Sequence, residues 1–518
     1  MKKGGYMIEE NKSSMKNSVR RIIIAGIGVL IQIIWVVVLL MRLNEYSQII
    51  TLLTVAIELV LVLAVYSMDT NAAFKLPWII LITVAPIVGI CVFFLFGRSG
   101  ATKKVRARYR KIDQQLFAYL NQDEQIIEEL SKKDERLAND FKYLWKCASS
   151  PVYKNTDVKY YGDTCDAMAA QLEDMMQAKK FIFLEYHAIE MAESFQALRK
   201  VLMAKAREGV EIRILYDDAG CIGFLNPRFI KYMESMGIQC RVFNPIMPVL
   251  NIFMNNRDHR KITVIDGKVA YTGGYNLADE YFNITHPYGQ WKDSGIRFEG
   301  DAVQTATILF LEMWNALREQ DVDIEKYLPV YPYKAKEQGF FALYGDSPLD
   351  KEPAGENVYM NLLRHAKKYI YFTTPYLILS DEMTRELTGA AKRGVDVRII
   401  TPGIPDKKTI FQVTKSYYPQ LLKHGVKIYE YTPGFMHEKQ CICDGEIVVV
   451  GTINLDFRSL YLHFENAALF CGYEAVSHVK EDFDALFPIC KDMSKEPSER
   501  TRRLRLSQLI LRLFSPLM

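Results

Sequence analysis

One stretch of this sequence occurs in two copies, and that repetition constrains the fold more than any other feature. Residues Asp258–Asn276 read DHRKITVIDGKVAYTGGYN, and the same offsets between His, Lys, Asp, Gly and Asn return at residues 437–454. The chain holds only 8 His, so a repeat that keeps every offset is rarely a coincidence. We expect two equivalent structural units organised around these copies. Their members are His259, Lys261, Asp266, Gly273 and Asn276, and His437, Lys439, Asp444, Gly451 and Asn454.

Each copy predicts a β-hairpin, because apolar and polar residues alternate up to an Asp-Gly pair and a second apolar run follows. His259 and Lys261 are two residues apart and share one strand face, whereas Asp266 is seven residues from the His and falls in the turn. We count both motif Asp residues in the candidate catalytic set but interpret them as shaping the turn. The two Asn residues are candidate ligands of a bound phosphate.

The residue types restrict the chemistry to an anionic phosphorus centre. An imidazole acts there as nucleophile or as general acid and base, and an ammonium group binds the phosphate oxygens. One copy supplies half of such a reaction and is equally compatible with a surface hairpin that carries a solvated His. Two copies facing each other supply a nucleophile, an acid/base and two cations, which favours an enzyme.

Nine Cys residues are scattered along the chain without a disulfide framework. Their odd number predicts reduced thiols and a cytoplasmic catalytic part. Cys441 and Cys443 continue the face of His437, so a metal site or redox switch there is an alternative. Because no second Cys pair has ligand spacing, we predict neither a metal nor a cofactor.

The N-terminal region, residues 1–97, has three apolar runs, at residues 22–41, 49–66 and 76–96. Each is long enough for a transmembrane helix, which predicts a multi-pass anchor in the cell membrane. Glu58 leaves a buried or re-entrant helix as the alternative for the middle run. Basic residues flank both ends of the region, and we place the catalytic part in the cytoplasm because the second cluster directly follows the last run.

After the anchor, the sequence predicts a basic helical connector at residues 98–150 and two α/β domains at residues 151–325 and 326–490. The segments Ala178–Tyr186 and Ala206–Asp218 have counterparts at Ala366–Phe372 and Lys392–Gly403, each a helix end that leads into a β-branched strand. Two such units predict buried sheets and a pseudo-twofold axis. The C-terminal tail, residues 491–518, is basic and amphipathic, so it lies either in a lipid headgroup layer or on the protein itself.

On these motifs the chain resembles the phospholipase D superfamily, and the membrane region and tail make it similar to the bacterial cardiolipin synthases. Gly274 and Thr452 stand where many superfamily members have Ser. The resemblance implies that Asp293 and Glu465 hydrogen-bond the catalytic His residues and fix their tautomers.

The resemblance further implies transfer of a phosphatidyl group between two phosphatidylglycerol molecules, with release of glycerol and no metal or nucleotide. It implies His259 as the nucleophile and His437 as the acid/base, with the reverse assignment left open, and Lys and Asn side chains on the phosphate oxygens. The expected partners are phosphatidylglycerol and anionic membrane lipid rather than nucleic acid. A hydrolytic phospholipase D, a nuclease and an inactive lipid-binding scaffold are the alternatives.

Overall fold

The computed structural model describes residues 48–94, 103–225, 228–246, 255–318, 321, 323–497 and 504–517, with scattered helical positions between residues 27 and 42. The described chain is a mixed α/β protein with two large β-sheets. The strands are Thr156–Tyr161 (β1), Phe181–Tyr186 (β2), Glu211–Asp217 (β3), Gln239–Phe243 (β4), Arg257–Asp258 (β5), Lys261–Ile265 (β6), Val269–Gly273 (β7), Gln290–Lys292 (β8), Gly295–Gly300 (β9), Phe340–Asp346 (β10), Tyr369–Thr373 (β11), Asp396–Pro402 (β12), Lys427–Tyr431 (β13), Gly434–Met436 (β14), Gln440–Cys443 (β15), Ile447–Gly451 (β16), His463–Cys471 (β17) and Cys490–Asp492 (β18).

The helices surround these sheets. They are Gln48–Tyr66 (α1), Ala72–Val84 (α2), Pro86–Val92 (α3), Lys103–Leu116 (α4), Glu124–Lys133 (α5), Glu135–Ala148 (α6), Thr164–Gln177 (α7), Glu193–Arg207 (α8), Asp218–Cys221 (α9), Phe229–Glu234 (α10), Val303–Leu317 (α11), Ala354–His365 (α12), Asp381–Lys392 (α13), Lys408–Lys423 (α14), Phe457–Tyr461 (α15), Glu474–Leu486 (α16) and Leu506–Phe514 (α17).

The two sheets share one strand order. The first runs β1-β9-β7-β6-β2-β3-β4, and the second runs β10-β17-β16-β15-β11-β12-β13 with β18 added at its edge. In each, three parallel strands adjoin an antiparallel hairpin that carries one motif. The repeated segments also fold alike, since Gly209 and Gly394 end a helix at φ of 88° and 94° before the next strand begins. The predicted pair of α/β units is confirmed in topology; the domain boundary at residue 325 stays a prediction.

Each hairpin turn is fixed by the motif Asp. Asp266 and Asp444 both have φ of 54°, followed by Gly residues with positive φ, as a two-residue hairpin turn requires. The Asp266 carboxylate accepts hydrogen bonds from the backbone N–H groups of residues 179–181 at 2.7–2.9 Å. The Asp444 carboxylate accepts them from residues 367–369 at 2.7–2.8 Å. Both Asp residues therefore tie the turn to the start of the central strand, in line with their interpretation as turn-shaping residues; their place in the candidate catalytic set stays a prediction.

The two sheets share one hydrophobic core. Phe183 of the first sheet and Phe341 of the second belong to it, together with the helix α11, whose Trp314 is 1% exposed. Separate clusters pack the helices α7 and α8 on the first sheet and the helices α12 to α14 on the second. Because the sheets share their core, the motif hairpins of the two halves lie side by side.

The N-terminal region differs from the prediction. No helix among the described residues is both long and apolar enough to cross a bilayer, and most of the predicted span at residues 22–41 lies outside the described residues. The predicted span at residues 76–96 is divided, because α2 ends at Val84 and α3 begins at Pro86, which cannot continue a helical hydrogen-bond ladder. Gly89 lets α3 fold back on α2, since a Cβ there would lie 2.5 Å from the Ile82 Cα atom. The helices α2 and α3 therefore form a helical hairpin.

Apolar side chains remain exposed on α1 and on the tail helix α17. On α1, Leu52 and Val60 are 71% and 64% exposed, and on α17 Leu506 is 74% exposed. The other side of α17 packs on the protein, where Gln508 is buried and the Arg512 guanidinium lies 4.1 Å from the Tyr417 ring centroid. The tail helix thus packs on the body and also presents an apolar face outward.

Candidate active site

Both motif His residues lie at the seam between the halves. The strand β5 pairs with β17 of the second half, and the His259 N–H donates to the Phe464 carbonyl at 2.9 Å. Equivalently, β14 pairs with β8 of the first half, and the His437 N–H donates to the Lys292 carbonyl at 2.8 Å. Each His therefore precedes its hairpin strand and does not lie on it as the sequence predicted, because the chain changes partner strand at this point.

The carboxylates that bind the two imidazoles come from the opposite half. His259 Nδ1 lies 2.9 and 2.8 Å from the two Glu465 carboxylate oxygens. His437 Nδ1 lies 2.6 Å from Asp293 Oδ2. A carboxylate at Nδ1 fixes the tautomer that leaves Nε2 with a free lone pair. The expected His–carboxylate pairs are present, and neither half is complete without the other.

The two motif Lys residues lie beside these imidazoles and are almost fully buried. Lys261 Nζ donates to the His259 carbonyl at 2.7 Å, and Lys439 Nζ donates to the His437 carbonyl. Burial lowers the pKa of Lys261 to about 7 and that of Lys439 to about 8, although nearby carboxylates oppose this effect. These amines therefore carry their charge most reliably when an anion shares the site.

Both imidazoles are held neutral. Burial, followed by the charge of Lys261, brings the pKa of His259 well below its ordinary value of 6.5. Burial and Lys439 likewise lower the pKa of His437 to about 3. A neutral imidazole with an oriented Nε2 is the form that attacks a phosphorus atom.

The motif Asn residues lie in the same buried region. Asn276 is 2% exposed; its Oδ1 accepts from the Ala188 N–H at 3.1 Å, and its Nδ2 donates to the Tyr281 hydroxyl at 2.8 Å. One Nδ2 proton is left for a ligand. Asn454 is 5% exposed, and its buried Oδ1 has no hydrogen-bond partner in the described structure. Asn276 can therefore donate to an anion through Nδ2, whereas the unpaired Asn454 Oδ1 can only accept a hydrogen bond, as from a hydroxyl.

The residues after the motif glycines explain the absence of Ser. A Cβ on Gly274 would lie 2.0 Å from Asp293 Oδ1, so Asp293 occupies the place of a side chain. In the second half, the Thr452 hydroxyl donates to Glu465 Oε2 at 2.5 Å. Asp293 therefore fits beside its hairpin because Gly274 has no side chain, whereas Glu465 accepts a hydrogen bond from the Thr452 hydroxyl.

The surroundings of the two imidazoles also differ, through residues that sequence reasoning missed. The His259 ring lies 5.0 and 5.5 Å from the His187 and His463 ring centroids. The His437 ring lies 5.0 Å from Trp291 and 5.2 Å from Tyr281. Their places in the sequence could have identified these two His residues, since His463 is two residues before Glu465 and His187 directly follows β2.

One set of groups in this site could ligate a metal. His259, His463 and Glu465 place ligand atoms within 4.8 Å of one another. Cys441 and Cys443 are instead packed in the hydrophobic core of the second half, because the strand β15 turns them away from the site. All nine cysteines are free thiols.

Two neutral imidazoles, each paired with a carboxylate and flanked by a Lys, define a phosphoryl-transfer site of the duplicated His–Lys class. The family described as "Cardiolipin synthase, PLD-like domain" matches residues 172–314 and 359–487. This chain belongs to that family.

Individual relatives agree with this assignment. A cardiolipin synthase of Halalkalibacterium halodurans is 32% identical over 85% of this chain and 87% of its own length. A protein of Streptococcus mutans that is described only as uncharacterized is 39% identical over 89% of this chain and 99% of its own. The crystal structure of phosphatidylserine synthase from Haemophilus influenzae superposes with a TM-score of 0.56 at 12% identity, over 74% of this chain and 98% of that one, so it supports the fold.

Proposed function

We propose that this protein is a phosphatidyltransferase that forms cardiolipin from two phosphatidylglycerol molecules and releases glycerol. The observation that carries the proposal is the crossed arrangement of His259 with Glu465 and His437 with Asp293 in one buried site. Relatives named cardiolipin synthase, aligned over most of their length, specify the substrate class.

In the first step, His259 Nε2 attacks the phosphorus of the donor. A P–N bond forms, the P–O bond to glycerol breaks, and His437 protonates the departing oxygen. Both imidazoles are neutral in the free protein; the bound anionic phosphodiester raises the pKa of His437, which takes up a proton from water and holds it for this step, while His259 stays neutral and attacks. Lys261 and Lys439 bind the phosphate oxygens as charge accumulates there, with Asn276 and Asn454 beside them.

In the second step, a hydroxyl of the acceptor phosphatidylglycerol attacks the phosphatidyl-histidine. His437 takes the hydroxyl proton, the new O–P bond forms and the P–N bond breaks, which returns both imidazoles to their first state. The reverse assignment of nucleophile and acid/base exchanges the two His residues without changing this balance. Water in place of the acceptor would give phosphatidic acid.

The proposal includes attachment to the membrane that holds the substrates, with the catalytic halves on the cytoplasmic side. The exposed apolar residues of α1 and α17 support it, as does the basic start of α4. Flotation with phosphatidylglycerol vesicles, with and without residues 504–518, measures the contribution of the tail. A tail that contributes to binding lowers flotation when it is removed.

The test of the activity is product analysis in EDTA and without CTP. We expect wild-type protein in mixed micelles to convert labelled phosphatidylglycerol to cardiolipin and glycerol, and His259→Ala and His437→Ala variants to lose this activity. His478→Ala is the matched control, because His478 lies 46% exposed on the outer helix α16. Phosphatidic acid as the sole product would indicate a hydrolase, and no product would indicate a lipid-binding scaffold.

A further inference from the structure

A cavity of about 910 Å³ lies between the N-terminal helices and the catalytic body. Val65, Phe74 and Trp78 form the wall that α1 and α2 contribute, and Leu460 and Leu462 form the opposite wall near α15. The apolar lining matches an acyl chain better than a water-soluble ligand. The proposed chemistry at the two imidazoles leaves this volume without a role.

Two half-buried guanidinium groups line this cavity. Arg106 and Arg458 both line it. The buried Nε of Arg106 has no hydrogen-bond partner in the described part of the chain, and Arg458 donates its Nε to the neutral ring of His463 at 3.3 Å. Neither Arg forms an ion pair with a carboxylate among the described residues, and guanidinium groups left in this way favour binding of a phosphate.

The acidic residues of the cavity are occupied elsewhere. Glu352 accepts from the Tyr143 hydroxyl at 2.7 Å, and Glu356 accepts from the Ser380 hydroxyl at 2.5 Å. Asp69 lies at the exposed rim, where it pairs with Lys351 at 3.6 Å. None of these carboxylates forms an ion pair with Arg106 or Arg458 in the described part of the chain.

The cavity ends next to the active site. The His463 ring that accepts from Arg458 lies 5.5 Å, between centroids, from the ring of His259. Asn256 lines the cavity three residues before His259, and its buried Oδ1 has no partner among the described residues. This oxygen can accept a hydrogen bond from a hydroxyl group at the same place.

We propose that this cavity binds the acceptor phosphatidylglycerol, with its phosphate at Arg106 and Arg458, its glycerol headgroup extended past His463 to the phosphorus held between His259 and His437, and its acyl chains along the apolar walls. The inference rests on the proposed function. The motif Lys residues serve the donor phosphate, so the acceptor needs its own cations. In the product the two phosphates are separated by one glycerol, which requires the second phosphate site to adjoin the first, as the cavity does.

The test compares two acceptors within one reaction. Ethanol is small enough to reach the phosphatidyl-histidine without the cavity and yields phosphatidylethanol, whereas cardiolipin requires the bound acceptor lipid. We expect Arg106→Gln to lower the ratio of cardiolipin to phosphatidylethanol about tenfold, the effect of one lost charge-assisted hydrogen bond. Arg110→Gln is the matched control, because Arg110 is exposed on the same helix α4 and its removal lowers the basic charge equally.

The outcomes separate the two proposals. No cardiolipin from wild-type protein would refute the function itself. Cardiolipin from wild type with an unchanged ratio in Arg106→Gln, or an equal loss of both products, would overturn the acceptor site while leaving the function standing. Phosphatidylethanol formed at the wild-type rate by Arg106→Gln establishes that this variant is folded.

A second measurement does not depend on that variant. Phosphatidylglycerol with a diazirine near the end of one acyl chain is crosslinked to the His259→Ala protein, which cannot turn it over. We expect labelled peptides from α2 and α15, competed by unlabelled phosphatidylglycerol. Labels confined to the exposed face of α1 would overturn the proposal.

Discussion

Glu465 binds His259 and Asp293 binds His437, so Glu465→Gln and Asp293→Asn should slow the reaction to different extents when the leaving group of the donor lipid is changed. Glu465 contacts His259 Nδ1 through both oxygens, at 2.9 and 2.8 Å, and both residues are buried. The Gln variant keeps one acceptor but loses the charge that stabilises the imidazole when it becomes cationic on attacking phosphorus; burial raises the pKa of Glu465 well above its ordinary value, but Lys261, Thr452 and the new cation favour its charged form. Two unit charges about 4 Å apart in an environment of effective dielectric constant near 20 interact by about 4 kcal/mol. We therefore expect kcat for cardiolipin formation to fall about 10³-fold.

The leaving group then distinguishes the two carboxylates. Phosphatidyl-p-nitrophenol releases a phenolate that needs no proton, so the acid function of His437 becomes dispensable in the first step. With this donor, Asp293→Asn retains the initial burst of p-nitrophenol, while Glu465→Gln remains slow, if His259 is the nucleophile.

The assay is a stopped-flow burst for p-nitrophenol together with cardiolipin quantification, and both variants are isosteric. A fall of less than about tenfold in Glu465→Gln would refute the electrostatic reasoning. A burst retained in Glu465→Gln and lost in Asp293→Asn would reverse the roles of the two His residues.

Three further results follow from the geometry. Since burial brings the pKa of Lys261 to about 7 in the free protein, its charged form is lost as pH rises, so kcat/KM should decline above about pH 7, and Lys261→Arg should move the decline to higher pH. Gly274→Ala places a Cβ 2.0 Å from Asp293 Oδ1, and the displaced carboxylate should cost about 10²-fold in kcat. Asp266→Ala removes the acceptor of three backbone N–H groups, which should lower the free energy of unfolding by about 3 kcal/mol and leave kcat per folded molecule unchanged.

Each of these results has its own control. The pH profile is normalised to the maximum of each variant, and an identical alkaline limb in Lys261→Arg would contradict the assignment. Gly223→Ala should be silent, because among the described residues no heavy atom beyond its two chain neighbours lies within 4 Å of the added Cβ. Urea titration separates stability from catalysis in Asp266→Ala, and a catalytic loss in the folded fraction would support a place for Asp266 in the active site.

Several local features were readable from the sequence because their causes are local. The Asp-Gly pairs predicted the two hairpin turns, in which both Asp residues have φ of 54°. The repeated helix-to-strand segments predicted two copies of one strand order. The predicted span at residues 76–96 was wrong as a single helix, because hydropathy does not register the chain reversal at Pro86 and Gly89.

The sequence by itself determined which residue types meet at phosphorus and that they come in two sets, since motif spacing and strand parity depend only on neighbours along the chain. Only the tertiary structure decided that Glu465 serves His259 and Asp293 serves His437, because those partners are 206 and 144 residues apart. It also decided that His463 and Arg458 connect the site to the cavity beside α2. Contacts of this kind follow from how the two sheets share a core, which no short window of sequence contains.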